Sequence, residues 1–205
     1  MTSCLVKIRR SPFYAALSLL VFFSLLVPTR PLAEVKARKL HEMSHISSLL
    51  HSSRLASIHP EVETVAETIW QESKKYSLDP MLVLAIIRIE SEFHPAVVSP
   101  DGARGLMQLR PPSAHALAEA AELEEWEGAN SLDDPIINIK LGVLYLNYLK
   151  ERFGDLKVAL TAYHRGPTWV QRQIESKAAL PVEYAQKVIS LSRDYRARSR
   201  QTKSL

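Results

Sequence analysis

One run constrains the fold of this chain more than any other feature: Met81-Leu82-Val83-Leu84-Ala85-Ile86-Ile87. It follows Asp79-Pro80, an N-cap residue and a proline at the first helical position, so a helix begins there. On a helix the run is apolar on every side and leaves no face for water. Such a helix has to be the buried centre of a domain, wrapped by others. The rest of the sequence agrees with helix. Six glycines in 205 residues are few, long segments are rich in Ala, Leu, Glu and Lys, and no stretch alternates with period two for long enough to make a strand. The expected fold class is all-α.

The partners of the central helix are legible from caps and periodicity. Pro60 opens a helix with Val62, Val65, Ala66 and Ile69 on one face, and His94 to Gly105 is a loop broken by Pro95, Pro100, Gly102 and Gly105. Pro111-Pro112 leads into an Ala-rich helix. Asp134-Pro135 starts another, with Ile137, Leu141, Leu144 and Tyr148 on one side. Asp155 caps a helix from Leu156 to Tyr163 that Gly166-Pro167 stops, Thr168 to Ser176 is a short helix, and Pro181 opens the last one.

Charge and hydropathy divide the chain. Residues 1–54 hold eight Lys/Arg against two acids and residues 193–205 hold five against one, so residues 55–192 carry 13 bases against 19 acids. The net charge of +4 therefore belongs to the ends, whereas a nucleic-acid footprint needs the excess on the folded surface. Nucleic acid is excluded as a partner on this ground. Lys7, Arg9 and Arg10 precede an apolar run of 15 residues, Phe13 to Val27, the pattern of an export signal or membrane anchor. Cleavage after Ala33 competes with retention as an anchor through residues 11–28. Cys4 is the single cysteine, so no intrachain disulfide forms. The division expected is 1–33 signal or anchor, 34–59 polar spacer, 60–192 catalytic domain and 193–205 basic tail.

Glu90 ends the most apolar helix, among Ile86, Ile87, Ile89 and Phe93. A carboxyl in such surroundings is costly to ionise, and a raised pKa suits a general acid. Around it stand ordered blocks: Glu90-Ser91-x-Phe93-x-Pro95, Ser99-Pro100-x-Gly102-Ala103-x-Gly105-Leu106-Met107-Gln108, Asn138-Ile139-x-x-Gly142-x-x-Tyr145-Leu146, and Ala159-Leu160-x-Ala162-Tyr163-x-x-Gly166-Pro167. With Tyr184 in the last helix, they closely resemble the signature of soluble lytic transglycosylases over about residues 61–192.

That resemblance implies a lysozyme-like, goose-type helical domain acting on peptidoglycan glycan strands in the cell envelope or periplasm, as a monomer without metal or cofactor. It implies that Glu90 is the catalytic acid that then turns base. By the same resemblance Ser99 and Gln108 bind sugar substituents, Met107 lines the cleft beside Gln108, and Tyr163 stands near the carboxyl and helps orient it or stabilise developing charge. Tyr145 and Tyr184 are read as packing residues. The chain departs from the family's pattern after the tyrosine, with His164-Arg165 where Asn-Ala is usual, and Val97 replaces a small Ala.

No second carboxylate presents itself in the signature. Glu92 lies about 200° around the helix from Glu90, and Asp101 is in the loop. One acid suits an intramolecular route, in which the muramic C6 hydroxyl attacks C1 and closes a 1,6-anhydro ring. The rivals are a hydrolase of the same fold using water and a domain that only binds glycan. His41-Glu42-Met43-Ser44-His45 also matches the zinc-peptidase pattern H-E-x-x-H, but in a segment expected to lack a scaffold for a third ligand and a cleft.

Overall fold

The computed structural model describes residues 32–59 and 61–201. The apolar run 13–27, any attachment through residues 11–28 and the signal-or-anchor question lie outside them. No described helix is long and apolar enough to cross a membrane.

The described chain is helical, with helices α1 (Leu32–His51), α2 (Leu55–Ile58), α3 (Val62–Lys75), α4 (Pro80–Ser91), α5 (Pro111–Ala120), α6 (Pro135–Phe153), α7 (Leu156–Arg165), α8 (Pro167–Glu175) and α9 (Glu183–Gln201), and a 3₁₀ turn at Ala129–Asp133. The expected starts are found with their chemistry. The Asp79 carboxylate accepts from the Met81 amide at 3.0 Å. Asp134 accepts from Ile136 and Ile137 at 2.7 and 3.1 Å, and Asp155 from Val158 at 3.0 Å. Each satisfies amides that have no partner within their own helix.

Helix α4 is the centre: every residue from Pro80 to Ile87 is buried. It packs against α3 and α9, while α6 packs against α3 and α7, and α7 against α8 and α9. Burying a Val, Leu or Ile side chain contributes about 1.5–3 kcal/mol relative to exposure, so this helix anchors the assembly. Its end is as definite as its start. Glu92 and Phe93 both take left-handed backbone, at φ 51° and 65°, and turn the chain away from the helix axis. Phe93 is buried there, whereas Glu92 is exposed.

The chain divides into two compact units, at Arg38/Lys39. Within the first, residues 32–38 are helical and exposed. In the second, the segment expected to be a polar spacer is structured instead. Ile46, Leu50 and Leu55 are completely buried and belong to the same core cluster as α4. Its many serines and histidines made it read as spacer, yet Ile46 and Leu50, one turn apart, share a face of α1. The H-E-x-x-H residues are used in that packing. His41 and His45 place Nε2 at 2.8 and 2.9 Å from the carbonyls of Ser199 and Tyr195 on α9. Glu42 accepts from the Trp70 indole at 3.0 Å and pairs with Lys74 at 2.7 Å. At the other end the basic tail is not separate from the domain: α9 runs unbroken to Gln201, with Tyr195 buried and Arg196 paired to Asp79.

Candidate active site

Three helices converge on a cleft of about 290 Å³. Helix α4 contributes Ile89 and Glu90, α7 contributes Thr161, His164 and Arg165, and the start of α9 contributes Glu183, Tyr184 and Lys187 beside Pro181. Glu90 sits in the last turn of α4, half-buried. Burial holds its carboxyl above the usual range, and one hydrogen bond opposes that: the Tyr184 hydroxyl donates to Glu90 Oε1 at 2.5 Å. Burial prevails because an ion loses more on leaving water than one neutral donor returns.

The two tyrosines near the acid are both held neutral. Burial, then the charge of Glu90, raises the hydroxyls of Tyr184 and Tyr163 well above the ordinary phenol value. Each is therefore a donor. Tyr163, expected to orient the carboxyl, gives its hydrogen to the Met107 carbonyl at 2.7 Å. The residue that bonds Glu90 is Tyr184, read from sequence as a packing residue. Its position in the last helix carried no polar signal, and 94 residues separate it from the acid it meets.

The loop before Gln108 is built from the inside. Asn138 is completely buried; its Oδ1 accepts from the Met107 amide at 2.7 Å, and its Nδ2 donates to the carbonyls of Arg104 and Leu132 at 3.0 and 2.9 Å. Ser91 Oγ lies 2.8 Å from the Leu106 carbonyl, which ties the loop to the residue after the acid. Ser99 Oγ accepts from the Ala103 amide at 3.0 Å, and Gln108 Nε2 donates to the carbonyls of Val97 and Gly105, both at 3.0 Å. Met107, expected on the cleft wall, is fully buried, and its thioether packs where a Cβ on Gly142 would stand. A methionine before a polar loop residue carries no sign of which way it faces.

Two further placements bear on the chemistry. Asp101, the loop carboxylate weighed as a base, is exposed, and its backbone carbonyl accepts from Arg110 at 3.3 Å. Glu183, which sequence reasoning missed, lines the cleft with Glu90. His164 lies flat on the Tyr184 ring, with centroids 4.4 Å apart and planes 8° from parallel. Among the described residues no group of three His, Cys, Asp or Glu is arranged to hold a metal.

Comparison with known proteins places this arrangement. Residues 67–185 match the family model described as the Transglycosylase SLT domain, more than half of the chain. A transglycosylase of Enterobacteria phage PRD1 is 40% identical over 100 residues, which are 49% of this chain and 34% of that protein. The soluble lytic murein transglycosylase of Salmonella typhimurium is 38% identical over 92 residues, 42% of this chain and 14% of the relative. Among solved structures, the 70 kDa soluble lytic transglycosylase of Escherichia coli superposes with a TM-score of 0.58 at 26% identity, covering 64% of this chain and 24% of that one. The chain thus spans about a third or less of the length of these relatives. With a match that runs from α3 through the convergence of α4, α7 and α9, the chain belongs to the Transglycosylase SLT domain family.

Proposed function

We propose that this protein is a peptidoglycan lytic transglycosylase of the cell envelope, with Glu90 as its acid and then its base. The observation that carries the reading is a half-buried carboxyl with a raised pKa, fixed by Tyr184 at the wall of an open cleft. Similarity to murein transglycosylases supports the substrate class. Tyr184 engages Oε1, so Oε2 is the oxygen left to hold and deliver the proton. That proton passes to the glycosidic oxygen between muramic acid and glucosamine as the C1–O bond breaks. The C6 hydroxyl of the same muramic residue attacks C1 and returns its proton to the Glu90 carboxylate. The products together keep the mass of the substrate, and the enzyme ends protonated as it began. Because the nucleophile is already in the substrate, proximity takes the place of a second protein carboxylate. On the loop side, Ser99 and Gln108 each use one end on the backbone, leaving the Ser99 hydroxyl hydrogen and Gln108 Oε1 for sugar substituents.

Glu183 favours a second reading, hydrolysis by water, because it places another acid in the cleft. One digest separates the two. Purified sacculi are treated with the enzyme in chelator and the fragments weighed. Muramic ends lighter by one water and without a reducing group are expected, and chiefly reducing ends would transfer the role of base to Glu183. In either case Glu90→Gln removes proton transfer, a loss of about 10²–10⁴ in rate, with an unchanged circular dichroism spectrum. Wild-type lysis by that variant would end both readings.

A further inference from the structure

We propose that His164 is a positioning residue for the acid, acting through Tyr184, and that its imidazole must be neutral for Glu90 to donate a proton. The proposal rests on the reading of Glu90 as the acid.

The geometry joins three helices in one chain of contacts. The imidazole on α7 lies flat on the phenol of α9 at 4.4 Å, and the hydroxyl of that phenol meets Glu90 Oε1 on α4 at 2.5 Å. All three residues line the same cleft. A tyrosine ring turns on two torsions, and the surfaces on its faces decide its plane. The hydroxyl lies at the far end of the ring, so a tilt moves it more than any other atom and carries the carboxyl with it. Placement errors of this kind are costly, since proton transfer needs hydrogen-bond distance to the leaving oxygen. The Asn of the resembled pattern has no ring to lay there, whereas His164 has.

Charge gives the second half. A cation on His164 would stand one ring's thickness from Tyr184, in the cleft that Glu90 also lines, and an opposite charge favours the carboxylate over the acid. The proton required by the glycosidic oxygen would then be missing. The titratable groups that line this cleft with His164 are Arg165 on its own helix, Glu183, Tyr184 and Lys187 on α9, and Glu90 on α4. Arg165 and Lys187 oppose a further cation, and Glu183 favours one. Burial first, and Arg165 second, bring His164 below the ordinary histidine range. Activity should therefore rise with pH as His164 loses its proton and fall as Glu90 loses its own.

The full chain is compared with His164→Ala and His164→Phe on purified glycan strands across about pH 4 to 8, the span in which carboxyls and imidazoles titrate. His164→Ala should lose about fivefold in kcat at the optimum with KM unchanged, the effect of removing one aromatic contact. His164→Phe restores a flat ring without a proton, so it should regain kcat and lose the acid limb. Full kcat in the Ala variant, a retained acid limb in the Phe variant, or a Phe variant as slow as Ala would overturn the proposal. A readout without turnover separates this from failure of the functional reading. The ¹³C signal of the Glu90 carboxyl, assigned by its loss in Glu90→Gln, should show a second inflection in wild type that is absent in His164→Phe. That pattern in a protein that cuts no glycan would sink the functional reading and keep the coupling; a single inflection in wild type would sink the coupling.

Discussion

The loop from Ser99 to Gln108 and the corner where α4, α7 and α9 meet use polar residues in opposite ways. In the loop they face inward. Gln108 answers two carbonyls and Ser99 one amide, Asn138 reaches in from α6 to one amide and two carbonyls, and all these bonds hold backbone. At the corner a half-buried acid and a phenol bond each other and line open space. The difference teaches where sequence motifs come from. A loop without regular hydrogen bonding needs particular side chains at particular spacings, so it writes a dense signature. The corner needs only the right groups on three helices, and helices accept many residues between them.

The sharpest way to break the loop is Gly105→Ala. The glycine stands at φ +78°, and an added Cβ would lie 2.1 Å from Asn138 Nδ2 and 2.2 Å from the Leu132 carbonyl oxygen. Backbone strain and the displaced amide together should cost about 3–5 kcal/mol, in line with loss of a buried network. Urea unfolding measures it. A loss under about 1 kcal/mol would mean that Asn138 is not the keystone described above.

At the corner, Tyr184→Phe should cost about 1–3 kcal/mol of stability and lower kcat about 10- to 100-fold, because a carboxyl without its donor is free to turn away. The sign of its pH effect is fixed by the bond removed. That bond lowers the Glu90 pKa, so its loss should move the alkaline limb of the rate profile to higher pH. An unmoved limb would show that the hydroxyl does not act on the carboxyl.

The fold was largely readable because it follows from caps and faces. Asp79-Pro80, Asp134-Pro135 and Asp155 each open a helix as their chemistry requires. The central run of α4 could lie nowhere but inside. What failed to read is equally specific. The stretch before Pro60 is dense in serine and histidine, and composition alone hides that Ile46, Leu50 and Leu55 enter the core. The partial burial of Glu90 was legible from its apolar neighbours. Tyr184 was not, since one tyrosine on an amphipathic helix looks the same whether it packs or bonds an acid across 94 residues. His164 was visible only as a departure from the resembled pattern, and its stacking required the third helix.

A milder substitution sharpens the loop side. Ser99→Ala removes the acceptor for the Ala103 amide and should cost about 1 kcal/mol of stability. If Ser99 serves the loop alone, kcat/KM on glycan strands stays within about twofold of wild type, less than a lost substrate hydrogen bond would produce. A larger loss at equal stability would give its hydroxyl the sugar contact that the resemblance implies.

The smallest effect tests whether burial or the Tyr184 bond governs the acid in the resting protein. Burial raises the folded pKa of Glu90 above its unfolded value, so the native state holds this proton more tightly than the unfolded chain does. The corresponding stability is fully present below the unfolded value, about 4.3 for glutamate, and is lost as pH rises through the folded one. At neutral pH the unfolded chain has released this proton, so the native state has lost part of that stability, a loss that Glu90→Gln does not carry, while the amide oxygen can still accept from Tyr184. The variant should be the more stable protein at about pH 7, with the gap closing toward about pH 4, where both side chains are neutral. Paired thermal melts at the two pH values read this directly, since every other titrating group is common to both proteins. A variant less stable than wild type at neutral pH would mean that the hydroxyl outweighs burial, with Glu90 held as a carboxylate and unable to open the reaction as an acid.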